Sequence, residues 1–226
     1  MVRRGTANSL SEDVYQRIRD SVFDGSIRPG DRLQPVLLSK EYNASTTVIR
    51  EALAVLGGER LITSKPGQGY FVPEIHRDRL RDITLLRCHT ESLALRLSME
   101  RGGVEWESRL IAAHHRLSRT PRRTPEDLPN PVWSKVHQAF HSEFVEGAGV
   151  SILNDICHQL SSATEIYRVW SGRFTESSGR DVEGEHAAIL EAVLKGDVDL
   201  AIERLTAHYE GTANLILANW PETEAL

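Results

Sequence analysis

The sequence predicts a mainly α-helical protein with two domains: three helices and a β-hairpin, followed by an all-α bundle of six helices. Two observations predict this. An amphipathic helical pattern starting at residue 45 is followed at once by two strand-like segments, whereas beyond residue 76 apolar residues recur with helical spacing. The 226 residues, 40% of them hydrophobic, suffice for two ordinary domains.

The first two helices are short and end in turn residues. The first is predicted over residues 10–23, starting near Ser11, with an apolar stripe at Val14, Ile18 and Val22. The second is predicted over residues 34–42, with Leu37 and Leu38 facing inward.

The third helix and the hairpin complete the first domain. Ser45 can cap the helix, and Gly57-Gly58 are expected to stop it. Its apolar positions are Val48, Ile49, Ala52, Leu53, Val55 and Leu56. Strands are predicted at residues 60–64 and 69–73, joined by the polar turn KPGQ. A helix followed directly by such a hairpin is the outline of a winged helix-turn-helix.

Six helices are predicted in the second domain, at residues 79–101, 106–117, 133–146, 151–170, 182–194 and 198–218. The segment 118–131 contains four prolines and reads as a loop. The predicted organisation is therefore a first domain at 1–75, a charged linker at 76–82 and a helical domain at 83–226.

Composition excludes several classes of protein. No apolar run is long enough to span a membrane and no secretory signal is recognisable, which favours a cytoplasmic protein without a membrane partner. The two cysteines, Cys88 and Cys157, lack metal-ligand or redox spacing and are expected to be free thiols. Residues 1–75 carry 10 Lys and Arg against 9 Asp and Glu, so bulk charge alone does not indicate nucleic acid.

The segments IRPGDRL, ASTTVIREAL and LITSKPGQGYFV resemble the DNA-binding domain of GntR-family bacterial transcription regulators over about 65 residues. The family commonly has Arg where Thr46 stands and Pro where Val48 stands. The resemblance implies that the start of the third helix and the wing bind double-stranded DNA. The implied DNA-binding residues are Ser45, Thr46, Thr47, Arg50, Lys65, Gln68 and Gly69.

The chemistry of these residues fits that role. Hydroxyls and N–H groups at a helix start hold phosphate, and the guanidinium of Arg50 can reach guanine in the major groove. The alternative for Arg50 is an intramolecular ion pair with Glu51 or another nearby acid.

Histidines are the notable residues of the second domain. His137 and His141 are four apart on one predicted helix, and His186 and His208 fall on the last two helices. Imidazoles that converge from three helices can bind a first-row transition metal. The spacing alone also fits a solvated helix face.

The segments HQAFH and GEHAAILEAVLKGDVDLAIERLTAHYEGT resemble the FCD effector domain of the FadR subgroup, over most of residues 79–218. Many such domains hold a metal through an Asp and three His. Here His141, His186 and His208 match the three His, and His137 stands where the family usually has Asp. Four nitrogens favour a divalent metal such as zinc or nickel, and a metal-free site is the alternative.

By position, the resemblance also implies that Arg87 lines the effector pocket. A guanidinium beside a metal suits a small carboxylate, and a salt bridge to Glu91 is the alternative role. The further candidates for effector binding are Tyr167, Arg168, Trp170 and Arg173.

Together these features predict a ligand-responsive regulator rather than an enzyme. The resemblance implies a homodimer on a near-palindromic operator, released from DNA as a repressor when an organic acid binds. Two rival interpretations use the same histidines. One is a metal sensor without an organic effector, and the other is a metal-dependent enzyme.

Overall fold

The computed structural model describes residues 4–126, 130–171 and 179–220, and the side chains from residue 10 onward. The chain separates into two compact units, with the boundary between His76 and Arg77. The N-terminal unit contains α1 (Arg4–Phe23), β1 (Arg32–Leu33), α2 (Pro35–Glu41), α3 (Thr46–Gly58), β2 (Thr63–Lys65) and β3 (Gly69–Phe71).

Three antiparallel strands form a small sheet in the order β1-β3-β2. Tyr70 of the central strand lies opposite Leu33 on one side and Ser64 on the other. The two-residue strand β1 was not predicted, because two residues are too few to show alternation. The core beside the sheet consists of fully buried residues that include Val14, Ile18, Ile49, Leu53, Leu56 and Leu61.

Helix α1 begins at Arg4 rather than at residue 10, so the predicted start at Ser11 is wrong. No proline interrupts residues 4–9, and their sequence, RGTANS, has no periodic apolar pattern from which a helix could be predicted. In α2, Leu38 is buried but Leu37 is 55% exposed, which corrects the prediction that both face inward. Successive helical residues are rotated by about 100°, so a narrow buried face holds only one of them.

Helix α3 begins as predicted and ends later than predicted. The Ser45 hydroxyl accepts a hydrogen bond from the Val48 N–H, which caps the helix. Gly57 and Gly58 both lie inside the helix, because the glycine backbone can continue the hydrogen-bond ladder at a modest cost in free energy. The helix ends where Arg60 adopts φ +60°, a left-handed conformation that stops α-helices.

The wing is a tight hairpin between β2 and β3. Its turn places Gly67 at φ +71° and Gly69 at φ +100°, where other residues would be strained. The Gln68 N–H donates to the Lys65 carbonyl at 3.0 Å across this turn. Both strands are shorter than predicted, and β2 begins only at Thr63 because Leu61 and Ile62 are buried in the core directly after α3 instead of pairing.

The described secondary structure of the C-terminal unit consists of α-helices. It contains α4 (Arg77–Arg101), α5 (Gly103–Ser118), α6 (Pro131–Glu146), α7 (Ser151–Ser171), α8 (Val182–Leu194) and α9 (Val198–Ala218). The bounds of the last two helices match the prediction. Helix α4 begins at Arg77, so nearly all of the segment predicted as the linker is helical.

Helix α4 lies at the centre of this bundle and packs against α6, α7 and α9, while α8 packs against α5 and α9. Aromatic and aliphatic side chains, among them Trp106, Leu110, Phe140, Phe144 and Leu205, fill the core. This packing brings α6, α8 and α9, the three helices that carry the predicted metal ligands, to one region. Within the part of the chain that the structure describes, no helix is long and apolar enough to cross a membrane.

Candidate functional site

Four histidines meet inside the helical unit. His137 and His141 extend from α6, His186 from α8 and His208 from α9, and one nitrogen of each lies within 4.8 Å of the others. The Nε2 atom of His141 is 3.1 Å from that of His137 and 3.3 Å from that of His186. The convergence expected from the sequence is therefore present in the fold.

The spacing of these nitrogens fits a metal ion. Nitrogens about 2.0–2.1 Å from a tetrahedral zinc lie roughly 3.3 Å from one another. Burial lowers the pKa of all four histidines, and the neighbouring His208 helps to lower that of His186 to about 2. The imidazoles are therefore neutral, which is the form that binds metals.

Side chains behind the histidines fix their orientation. Glu185 accepts a hydrogen bond from Nδ1 of His208 at 2.7 Å, and Arg180 forms an ion pair with the same carboxylate. Although partial burial raises it, the pKa of Glu185 falls to about 2 because His208 and Arg180 stabilise the carboxylate. The ionised carboxylate holds Nδ1–H of His208, so that its Nε2 is left for the cluster.

A second chain of hydrogen bonds supports His141. Its Nδ1 lies 3.2 Å from the hydroxyl of Tyr209, which donates to the carboxylate of Glu91. Glu91 in turn pairs with Arg87 at 2.6 Å, and both are buried. The ring of His141 is therefore oriented by groups from α4 and α9.

A cavity of about 290 Å³ opens beside the cluster, and His137, His141 and His208 line it. It is rich in guanidinium groups, and the arginines that line it are Arg87, Arg122, Arg123, Arg168 and Arg180. A small concave site with convergent polar groups is the usual form of a ligand pocket. Its charge indicates an anionic ligand.

The predicted effector residues have different positions. Arg87 and Arg168 line the cavity. Arg87 also forms the salt bridge to Glu91 that the sequence left as its alternative role, and Arg168 pairs with Glu165. Arg173 lies outside the described residues.

Tyr167 and Trp170 are not among the residues that line the cavity. Tyr167 is 3% exposed, and its ring lies 6.4 Å from that of Trp220, which also packs against Trp170. The prediction that they contact the effector is not supported by this geometry. One step along α7 rotates a side chain by about 100°, which separates Tyr167 from Arg168.

Sequence reasoning missed other residues of the site: Arg122, Trp133, Arg180, Glu185 and Tyr209. Glu185 and Tyr209 adjoin predicted ligands in the sequence, so a search for carboxylates and hydroxyls beside the histidines could have found them. Arg122 lies in the proline-rich loop, where no periodicity indicates which way a side chain points.

The candidate DNA-binding residues form a second surface, on the N-terminal unit. Ser45, Thr46, Thr47 and Arg50 are exposed around the start of α3. Within the described chain, Arg50 makes no ion pair with Glu51 or any other acid. In the wing, Lys65 and Gln68 are exposed, Gly69 is half-buried, and Lys65 lies 3.7 Å from Glu74.

Comparison with known families agrees with this division of the molecule. Residues 10–72 match the family model of bacterial regulatory proteins of the gntR family, and residues 82–211 match the FCD domain. The chain belongs to the gntR family of bacterial regulators and carries an FCD domain. The family predicted from the sequence motifs is therefore confirmed.

Curated relatives match this chain in sequence along most of their length. The chain is 31% identical over 201 residues to the HTH-type transcriptional repressor GlaR of Escherichia coli (strain K12), covering 88% of this chain and 91% of that protein. It is 29% identical over 213 residues to the HTH-type transcriptional regulator BphR of Paraburkholderia xenovorans (strain LB400), covering 92% of this chain and 85% of that protein.

Solved structures share the fold. E. coli McbR/YncC has a TM-score of 0.77 at 19% identity, covering 98% of this chain and all of that one. A GntR regulator from Rhodococcus sp. RHA1 has a TM-score of 0.72 at 20% identity, covering 94% of this chain and all of that one. The predicted mainly α fold is thus confirmed. This gntR-family protein is a DNA-binding transcription regulator, not an enzyme.

Proposed function

We propose that this gntR-family regulator is a repressor that releases DNA when its FCD domain binds a small organic acid through a metal ion. The observation that carries the proposal is the meeting of four neutral imidazoles beside an arginine-lined cavity. A neutral, nitrogen-only ligand set suits a divalent transition metal such as zinc or nickel. A metal that accepts a fifth ligand beyond the four nitrogens would offer a Lewis-acidic position for a carboxylate oxygen.

The protein supplies the remaining contacts for the acid. Arg87 uses Nε and Nη2 for its pair with Glu91, and it makes no bond through Nη1 within the described chain. Arg168 similarly donates from Nε to the carboxylate of Glu165 and from Nη2 to the hydroxyl of Ser134. Both guanidinium groups are thereby held rigidly in the cavity wall, with donors left for a carboxylate.

DNA release is proposed to follow from a two-state equilibrium. A homodimer presents two copies of α3 to the half-sites of a near-palindromic operator. An acid that binds one arrangement of the bundle more tightly shifts the population toward it and lowers the affinity for DNA. The similarity to a relative named as a repressor supports this direction of response.

Elemental analysis of untagged protein tests the metal site. We expect about one transition-metal ion per chain in the wild type, and loss of this metal in the double variant His141→Ala, His186→Ala. The control is His89→Ala, His115→Ala, which removes two exposed imidazoles. Circular dichroism verifies that both variants fold. A wild-type protein that contains and binds no metal would refute the metal site.

Binding to a selected operator tests the DNA surface. Arg50→Ala should weaken specific binding by about 1–3 kcal/mol if the guanidinium contacts a base. Because Arg50 is exposed and makes no ion pair within the described chain, the unfolding temperature should not change. Arg116→Ala, an exposed position on α5, is the matched control. Unchanged affinity of Arg50→Ala would exclude this role.

A metal sensor without an organic effector is the second candidate. Four protein nitrogens complete a tetrahedral coordination sphere, as in structural zinc sites. Operator affinity that responds to added zinc or nickel, and to no acid in the presence of the metal, would favour this function.

A further inference from the structure

The arginines that line the cavity differ in their partners among the described residues. Three of its arginines are each paired with a carboxylate, in the pairs Arg87–Glu91, Arg168–Glu165 and Arg180–Glu185. Arg122 also lines the cavity, and within the described chain its side chain has no carboxylate partner. The cavity therefore holds a guanidinium that forms no ion pair with a carboxylate of the described residues.

Arg122 is held in place by an aromatic ring rather than by an acid. Its guanidinium carbon lies 5.2 Å from the centre of the Trp133 ring, and that of Arg168 lies 5.0 Å from the same ring. Stacking on tryptophan orients a guanidinium and leaves its N–H groups free to donate in the plane of the group.

The surroundings of Arg122 favour an anion. Partial burial and the positive charge of Arg168 lower its pKa, and Arg180 and Arg123 contribute in the same direction, whereas the carboxylate of Glu183 acts in the opposite one. An added anionic group would offset this repulsion and satisfy the guanidinium donors. Such a group would form a charge-assisted, bidentate hydrogen bond.

The ring of Trp133 contacts both Arg122 and the histidine cluster. Trp133 stacks on His137 with ring centres 4.5 Å apart and an interplanar angle of 21°. A ligand that reaches the histidines can therefore extend along Trp133 to Arg122. The cavity, at about 290 Å³, limits such a ligand to a small molecule.

We propose that the effector carries two anionic groups, one bound beside the histidine cluster and the other bound by Arg122. This inference rests on the proposed function, because it assumes that the cavity is the effector site. The second group is a carboxylate or a phosphoryl group, which a guanidinium binds in the same bidentate manner. Arg122 selects such acids over monoanionic acids of equal length.

Calorimetry on metal-loaded protein tests this selection. The probes are succinate, glutarate and adipate, each compared with the monocarboxylate of equal chain length, and 4-phosphonobutyrate in place of glutarate. In the wild type, at least one two-anion probe should bind ten times or more tightly than its monoanionic counterpart. A preference for 4-phosphonobutyrate over glutarate would identify the phosphoryl group.

Variants at Arg122 assign the preference to this residue. Arg122→Gln should abolish the preference by weakening the two-anion probes far more than the monocarboxylates, whereas Arg122→Lys should retain part of the preference because it keeps the charge. The control Arg119→Gln removes an exposed arginine that does not line the cavity, and should behave as wild type.

The outcomes separate this inference from the proposed function. Equal binding of mono- and dianionic probes, or a preference that survives Arg122→Gln, would overturn the role of Arg122 and leave the organic-acid function standing. Absence of binding by every acid would overturn both.

Discussion

At the scale of single residues, the two ring nitrogens of His208 have different roles. Nδ1 is held by Glu185, which is itself fixed by Arg180, and Nε2 is left for the cluster. Such carboxylate–histidine pairs set the tautomer and the basicity of a metal ligand. Glu185 is therefore expected to affect metal affinity, although it is not itself a metal ligand.

Glu185→Gln tests this expectation. The variant keeps a hydrogen-bond acceptor but loses the negative charge, so metal affinity should fall about 10–100-fold. Competition with a chromophoric chelator measures the change. The control Glu191→Gln removes an exposed carboxylate on the same helix, which pairs with Lys195. Equal affinities in the two variants would show that Glu185 does not tune the site.

Single residues also show what the sequence could predict about the site. The i, i+4 spacing of His137 and His141 places both on one helix face, and their proximity follows from local geometry. Arg122 was not predictable, because its position depends on the course of a loop. Tyr167 does not line the cavity, because small rotations about a helix axis decide whether a side chain meets the cavity or the core.

At the scale of elements, the N-terminus of α3 is defined by one hydroxyl. Ser45 accepts a hydrogen bond from the Val48 N–H at 3.3 Å, and removing a serine cap costs typically about 1 kcal/mol. Ser45→Ala should therefore destabilise the winged helix-turn-helix by about this amount, as measured by urea denaturation.

Two further variants separate the cap from the predicted DNA contact. Ser45→Asp should preserve stability, because aspartate also caps helices, but its negative charge should weaken DNA binding. In the stability measurement alone, Thr47→Ala, within the first turn of α3, controls for loss of an exposed hydroxyl. A stability of Ser45→Ala equal to wild type would show that the cap is dispensable.

The existence of most elements followed from periodicity, whereas several boundaries did not. The bounds of α8 and α9 match the prediction, and each helix begins after an aspartate whose side chain caps it. The end of α3 was misjudged, because a glycine pair permits a helix to stop but does not require it. The short strand β1 depends on pairing with β3, which is a tertiary contact.

At the scale of the whole molecule, the proposed dimer predicts a fixed spacing between operator half-sites. Inserting five base pairs between them rotates one half-site by about half a turn of DNA, so that both copies of α3 cannot bind together. Affinity should fall toward that of a single half-site in gel-shift titrations. The control is an insertion of ten base pairs, about one full turn, which returns both half-sites to the same face of the duplex.

Unchanged affinity after the five-base-pair insertion would contradict a rigid dimer on DNA. Analytical ultracentrifugation of the free protein gives an independent measurement of the dimer.

The order of the histidines along the chain has a consequence for biosynthesis. His208 lies on the last helix, and α9 packs against α4, the first helix of its unit. Domains generally fold in order from the N-terminus during translation. The ribosome therefore completes the winged helix-turn-helix well before the four histidines can meet, and each newly made molecule acquires its DNA-binding module before its histidine cluster.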